Sequence, residues 1–389
     1  MATNGTVIYG RGYRSGKPVQ VAIADGIIQS IEDTADDKAS GYLIAPGLTD
    51  LQVNGYAGSD LNTDPLLPET VRDISVKLWS DGVTTFFPTV ITNSPENILR
   101  SLKAVANACR LFPEAAGAVG GIHLEGPFIS PEDGARGAHP AEHVRPPDWD
   151  LFNKWQEACN GMIRIVTLSP EWPGAAGFIR KASDTGVIVA IGHTAATPEQ
   201  IREAAGAGAT LSTHLGNGSH QMLPRHRNYI WEQLAADELY ATMISDGFHL
   251  PDALMKVFLR MKPGRMILVS DATSLTGMPP GDYSTHIGGE VTLTGAGRLH
   301  MKGNPDVLAG SGKSLLHCVE TLASKGLATL AGALDMAGRI PYRMAGLPGE
   351  CLLTRGGVAD LVMLREDDDG LRVVRTIKAG ETVFISELQ

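Results

Sequence analysis

Cysteine is scarce in this chain. Cys109, Cys159, Cys318 and Cys351 lie far apart and form no C-x-x-C pair. That excludes a zinc ribbon built on cysteines and suits a reducing compartment. Basic clusters are also lacking. The 389 residues carry 33 Lys and Arg against 43 Asp and Glu, a formal net charge of −10. No nucleic-acid partner is expected of such a chain, because cationic contacts to phosphate dominate that kind of affinity. No apolar run approaches the ~18 residues of a spanning helix. Met1-Ala2-Thr3-Asn4-Gly5 shows neither the basic nor the apolar region of a signal peptide. A cytoplasmic protein with no membrane partner is therefore expected. Internal repeats and low-complexity tracts are missing, and no G-x-G-x-x-G follows the first strand-like run. Gly310-Ser311-Gly312-Lys313-Ser314 resembles the tail of a P-loop, but Val307 stands where that pattern needs glycine.

What the chain does have is an ordinary globular composition, 43% hydrophobic and 20% charged. Its 45 Gly and 23 Pro are numerous but stay below the roughly 25–30% that signals disorder. The length suits one large domain plus something smaller. Both ends are rich in short β runs: Thr6-Val7-Ile8-Tyr9-Gly10, residues 19–23 and 26–31 at one end, residues 359–364, 371–377 and 382–385 at the other. Asp25-Gly26 reads as a hairpin turn, and the acidic stretch 366–370 reads as a solvated hairpin tip. A small β-sandwich domain assembled from residues 1–44 and 347–389 is expected.

The middle has another rhythm. Eight apolar, β-branched runs cover 43–53, 82–91, 118–126, 162–170, 187–193, 209–215, 240–248 and 265–272. Helix-like segments such as 69–81, 95–109, 198–207 and 251–261 lie between them, several opening with Pro near the first turn. Further helical runs follow Gly312 and cover 327–337. Continuous apolar strands alternating with helices predict a parallel sheet covered on both faces. Eight such units predict an α/β fold of the (β/α)8 TIM-barrel type over residues 45–346.

In such a barrel the active site lies at the C-terminal ends of the strands. Those ends carry Asp50 with Gln52 and Asn54, then His123 and Glu125, His193, His214, Asp246 with His249, and Asp271. A single histidine at a strand end is more often a hydrogen-bonded structural residue than a ligand. Three ligand-type side chains at the same end of strands three, five and six shift that balance. Glu125 is the most telling of them, because an unpaired carboxylate between an apolar strand and Gly126-Pro127 is costly to bury. Glu125, His193 and His214 form the His2Glu set of a catalytic zinc site. A metal there lowers the pKa of a bound water to about 7 and polarises a carbonyl. Asp271 is then the candidate to take the water proton and return it to a leaving amine. His249 is the candidate to stabilise the developing oxyanion.

Six ordered motifs carry a family resemblance. They are Ala45-Pro46-Gly47-Leu48-Thr49-Asp50-Leu51-Gln52-Val53-Asn54-Gly55, His123-Leu124-Glu125-Gly126-Pro127-Phe128, Gly192-His193-Thr194, Thr213-His214-Leu215-Gly216-Asn217, Ser245-Asp246-Gly247-Phe248-His249 and Val269-Ser270-Asp271-Ala272-Thr273. Together they resemble the N-acetylglucosamine-6-phosphate deacetylases of the amidohydrolase superfamily, over nearly the whole chain. The resemblance implies metal-dependent removal of acetate from an amino sugar phosphate, on a barrel flanked by a β-sandwich, in a homodimer. It assigns Glu125, His193 and His214 to the metal, Asp271 to proton transfer and His249 to the substrate carbonyl. His139 falls where the family has a sugar-contacting histidine. Gln52 and Asn54 replace the H-x-H of two-metal relatives, which implies one divalent metal, Zn2+ first and Fe2+ second. After strand six this chain departs from the family's Gly-Arg-x-Pro-Gly turn and reads Asn217 to Asn228 instead. Asn217, Gly218 and Arg225 are the substrate contacts expected there, with His220, His226 and Arg227 as further partners for a phosphate. A non-phosphorylated N-acyl amino sugar, an N-acyl amino acid or a cyclic amide is the alternative substrate.

Overall fold

The computed structural model describes residues 5–39, 41–285, 289–349, 353–368 and 370–386. Cys351 and Asp369 lie outside them. The eight apolar runs become eight parallel strands joined in sequence order: β1 (Leu48–Val53), β2 (Val83–Ile91), β3 (Ile122–Glu125), β4 (Ile163–Leu168), β5 (Ile188–Ile191), β6 (Ala209–Ser212), β7 (Tyr240–Met243) and β8 (Met266–Leu268). Every residue of β1 and β2 is buried, as a sheet covered on both faces requires. The outer strands meet through a parallel bridge between Val53 and Ala272. Ser270 N–H donates to Asp50 Oδ1 (3.2 Å) across the same seam, and Asn54 N–H donates to Ala272 O (2.8 Å). Side-chain and bridge contacts thus complete the (β/α)8 barrel.

The prolines mark helix starts as expected. Ser94 caps the helix Pro95–Leu111 through Asn97 N–H, and Ile98, Leu102 and Val105 turn its buried face to the sheet. Thr197 and Gln200 form a reciprocal capping box on the helix Pro198–Gly206. The longer apolar runs overshoot their strands. Residues 43–53 split in two: Leu43–Pro46 joins the terminal sheet and β1 begins at Leu48. Gly47 makes the switch possible by packing its backbone on Thr84, where a Cβ would stand 2.2 Å from the hydroxyl. The run at 118–126 likewise opens in the helix Pro113–Ala118, and its strand starts only at Ile122.

Both termini build one seven-stranded sheet. Its order is Glu381–Ile385, Gly370–Lys378, Leu361–Asp367, Leu43–Pro46, Thr6–Gly12, Pro18–Ala24 and Ile27–Asp33. Ile8, Val21, Ile28, Ile44, Leu361 and Ile377 form its own buried cluster. A four-stranded antiparallel sheet, Gly281–Thr285, Gly289–Leu293, Leu299–Met301 and Asn304–Leu308, is inserted after β8. These strands are short and mostly solvated, so no apolar run marks them in the sequence. The helices Leu315–Ser324, Leu330–Ala337 and Arg339–Met344 complete the outer layer. Among the described residues no helix is long and apolar enough to cross a membrane.

Candidate metal centre and active site

Glu125 ends β3, and His193 and His214 lie just beyond β5 and β6, so barrel closure brings the three together. Glu125 Oε1 is 3.0 Å from His214 Nε2 and 3.4 Å from His193 Nε2, and the two ring nitrogens are 3.2 Å apart. All three side chains are buried. His193 Nδ1 donates to Ala135 O (3.0 Å), so its Nε2 presents a lone pair inward, the arrangement of a metal-ligating histidine. Burial alone would raise the Glu125 pKa, yet the two imidazoles hold it well below the usual carboxylate range. A carboxylate oxygen and two ring nitrogens converging in a buried site fit one divalent cation of zinc-like preference. Among the described residues these are the one such group of three.

Gln52 and Asn54, which take the place of a second metal's ligands, have other partners. Gln52 Nε2 donates to Glu125 Oε1 (2.9 Å), and Asn54 Nδ2 donates to Asp271 Oδ1 (2.7 Å). Asp271 is pushed up to about 6 by burial and by the charge of Glu125. A carboxylate in that range can accept a proton and give it back near neutrality. His249 Nδ1 meets Asp246 Oδ2 at 2.8 Å, and Asp246 Oδ1 accepts the backbone N–H of Phe248 and His249 (2.9 Å each).

One cavity of about 560 Å³ reaches Glu125, His193, His214, Asn54, His249 and Asp271, a size suited to a small polar ligand. Glu125, His139, His193, His214, Asn217, Gly218, His249 and Asp271 line it. His139 packs edge-on against His193 with ring centres 4.4 Å apart, and its Nδ1 lies 2.8 Å from Thr92 Oγ1. Burial, reinforced by the neighbouring His193, pushes it down to about 3, so it faces the cavity uncharged. Gly218 has φ +55, and a Cβ there would stand 2.7 Å from His193 Nδ1. Arg225 and His226 are exposed and lie outside the lining, and Arg227 is exposed and paired with Glu199. His220 does line the cavity but is held by Tyr229 and Glu132. The inserted sheet contributes Thr285, Val291, Leu299, Asp306 and Leu308 to the wall, none of which sequence reading selected. Thr92 was legible in principle as the first polar residue past β2. The inserted sheet carries no comparable signal.

The amidohydrolase family profile matches residues 43–383. The chain is 33% identical over 367 residues to N-acetylglucosamine-6-phosphate deacetylase of Bacillus subtilis (strain 168), covering 89% of this chain and 85% of that one. It is 32% identical over 357 residues to N-acetylgalactosamine-6-phosphate deacetylase of Escherichia coli O157:H7, covering 91% and 92%. The solved structure of N-acetyl-D-glucosamine-6-phosphate deacetylase from Mycobacterium smegmatis superposes with a TM-score of 0.85 at 29% identity, covering 97% of this chain and 100% of that one. Fold, cation site and sequence agree: the chain is a hydrolase and belongs to the amidohydrolase family.

Proposed function

We propose that the chain removes the acetyl group of N-acetylglucosamine 6-phosphate by hydrolysis, giving glucosamine 6-phosphate and acetate. The observation that carries this reading is the buried Glu125, His193 and His214 facing Asp271 in one cavity, in a chain whose curated relatives bear deacetylase names. Glu125, His193 and His214 hold one divalent cation, Zn2+ first and Fe2+ second. When bound, it supplies Lewis acidity at the amide carbonyl and acidifies water. Asp271 takes the proton of the attacking water and delivers it to the leaving amine, and Asn54 keeps its carboxylate aimed. His249 hydrogen-bonds the scissile carbonyl. His139, Asn217 and Gly218 shape the sugar subsite. Residues 1–44 and 347–389 act as the small β domain beside the barrel of 45–346, and the assembly is a homodimer.

Arg225 is the cation for the phosphate, from its own chain or a neighbouring copy, since it is exposed rather than buried. One observation favours a second reading: among the described residues lining the cavity none is Lys or Arg, which suits a non-phosphorylated N-acyl amino sugar. Acetate release from N-acetylglucosamine, its 6-phosphate and the galactosamine epimer, with cation content measured, separates these. The phosphorylated sugar is expected to lead by about 10–100-fold in kcat/KM, since a hydrogen bond to a charged group is worth about 1.5–3 kcal/mol. Equal rates on the free sugar would transfer the assignment to the second reading, and no acetate from any of them would remove both.

A further inference from the structure

The strand-seven exit holds more than a histidine aimed into the cavity. Asp246 is 2% exposed and its carboxylate is saturated: Oδ1 takes the two backbone N–H groups of Phe248 and His249, while Oδ2 faces His249 Nδ1 at 2.8 Å and Ser311 Oγ at 3.4 Å. Burial would raise its pKa, but the contact with His249 and these donors hold it below the usual carboxylate range. An ionised carboxylate only accepts hydrogen bonds, so His249 Nδ1 carries a hydrogen. A neutral imidazole has one N–H, so its Nε2 would then offer a lone pair to the cavity. A lone pair repels a carbonyl oxygen.

We infer that Asp246 is a positioning residue that locks His249 in the Nδ1–H form, so that His249 can donate to the scissile carbonyl only as an imidazolium. This rests on the reading above, in which His249 faces that carbonyl. The other charged group near the ring is Asp271 from the strand-eight exit, which lines the same cavity. On the other side His317 and Cys318, at the start of the helix Leu315–Ser324, lie near Asp246, His317 against its backbone and Cys318 within reach of its charge. The advantage is a charged donor, roughly twice as strong as a neutral one. The consequence is an alkaline limb: loss of one proton from His249 reverses the polarity of Nε2 rather than merely weakening it.

Asp246→Asn separates this from a structural role. The two backbone N–H groups keep the amide oxygen as their acceptor, which leaves the amide NH2 facing Nδ1. His249 then takes the opposite tautomer and donates from Nε2 while neutral. Compared with the holoenzyme, the variant is expected to lose the alkaline limb of kcat/KM and to run on a plateau lower by about 10–100-fold, less than the roughly 10²–10³-fold cost of losing an oxyanion donor outright. Cation content and Tm, measured alongside, should be retained. An alkaline limb unmoved in the variant overturns the inference. A second measurement stands without that variant: 15N spectra of the imidazoles, with His249→Asn identifying the signal. They should show the neutral wild-type ring protonated on Nδ1, and protonation on Nε2 overturns the inference. If His249→Asn instead hydrolyses the amino sugar at the wild-type rate, it is the placement of His249 at the carbonyl that fails.

Discussion

Gly218→Ala disturbs the cation site without altering any ligand. Gly218 has φ +55, and the added methyl would lie 2.7 Å from His193 Nδ1 and 2.8 Å from Cε1. A left-handed backbone costs an L-residue about 1–2 kcal/mol. The overlap with the imidazole is relieved by moving one of the two. The ring is pinned by its 3.0 Å bond to Ala135 O, and moving it breaks that bond and swings Nε2 away from Glu125. If about 2 kcal/mol of strain is released on letting the ring go, cation affinity falls by about 30-fold, since 1.4 kcal/mol is a factor of ten. Losses of 10–100-fold are usual when the groups that orient a ligand are disturbed. Competition against a coloured chelator measures the affinity directly. Gly206→Ala is the control: it lies in the helix Pro198–Gly206 with nothing within 4 Å of the new methyl. It should leave cation binding unchanged and be neutral or stabilising by about 0.4–1 kcal/mol. Wild-type affinity together with wild-type Tm in Gly218→Ala would refute the claim that the approach of residues 193 and 218 sets the ligand geometry.

Asp271→Asn should keep the cation and lower kcat by about 10²–10⁴-fold, and near-normal turnover with bound metal would remove Asp271 from proton transfer. Because Asp271 must be ionised to accept a proton, kcat/KM should fall with decreasing pH on an acid limb that vanishes in this variant. Burial and Glu125 set the limb at about 6, and a cation neutralising Glu125 moves it lower, so a limb above 6 would contradict the assignment. Asp50 is pushed up to about 7 by burial. The folded chain then binds more protons than the unfolded one between the ordinary carboxylate range and about 7, and Asp50 favours the fold less as pH rises through that window. Asp50→Asn removes this slope, so its Tm relative to wild type should rise between pH 4 and 7, and a constant difference would show that Asp50 does not titrate there.

The barrel was legible because its signal is coarse. Eight apolar runs separated by capped amphipathic helices leave few alternatives, and strand-end position then places Glu125, His193, His214 and Asp271 among the candidates without knowledge of contacts. The terminal sheet was legible for the same reason, down to Asp25-Gly26 between Pro18–Ala24 and Ile27–Asp33. What could not be read depends on who meets whom. Gln52 and Asn54 are identifiable as poor metal ligands, but only the closed barrel shows one amide bound to Glu125 and the other to Asp271. The inserted sheet stayed hidden because Gly281–Thr285 and Asn304–Leu308 contain no fully buried residue, so no apolar alternation marks them. Arg225 shows the opposite limit. The family resemblance offers it as a phosphate contact, and in the folded chain it is exposed and outside the cavity lining, so its partner is not fixed by the barrel.

Backbone conformation adds a level that the sequence does not carry. Of seven described non-glycine residues with positive φ, three are His193 (φ 47), His214 (φ 26) and Asp271 (φ 49). Each follows a short buried strand, and each would be more comfortable as glycine or asparagine. Strain of this kind persists only where the surroundings over-determine it. Here the surroundings are identifiable: His214 N–H donates to Thr242 Oγ1 (2.6 Å), His193 O accepts from Ser130 N–H (2.8 Å), and Asp271 O accepts from Ser311 N–H (3.4 Å). The left-handed turn redirects each side chain at the strand exit, and the strand ends already converge on the barrel axis. That explains why ligand and proton-transfer groups from β5, β6 and β8 point to one place although the strands that bear them are only three or four residues long. Local conformational preference is overruled at the positions where chemistry needs the side chain, and the rigid sheet supplies the energy that holds it there.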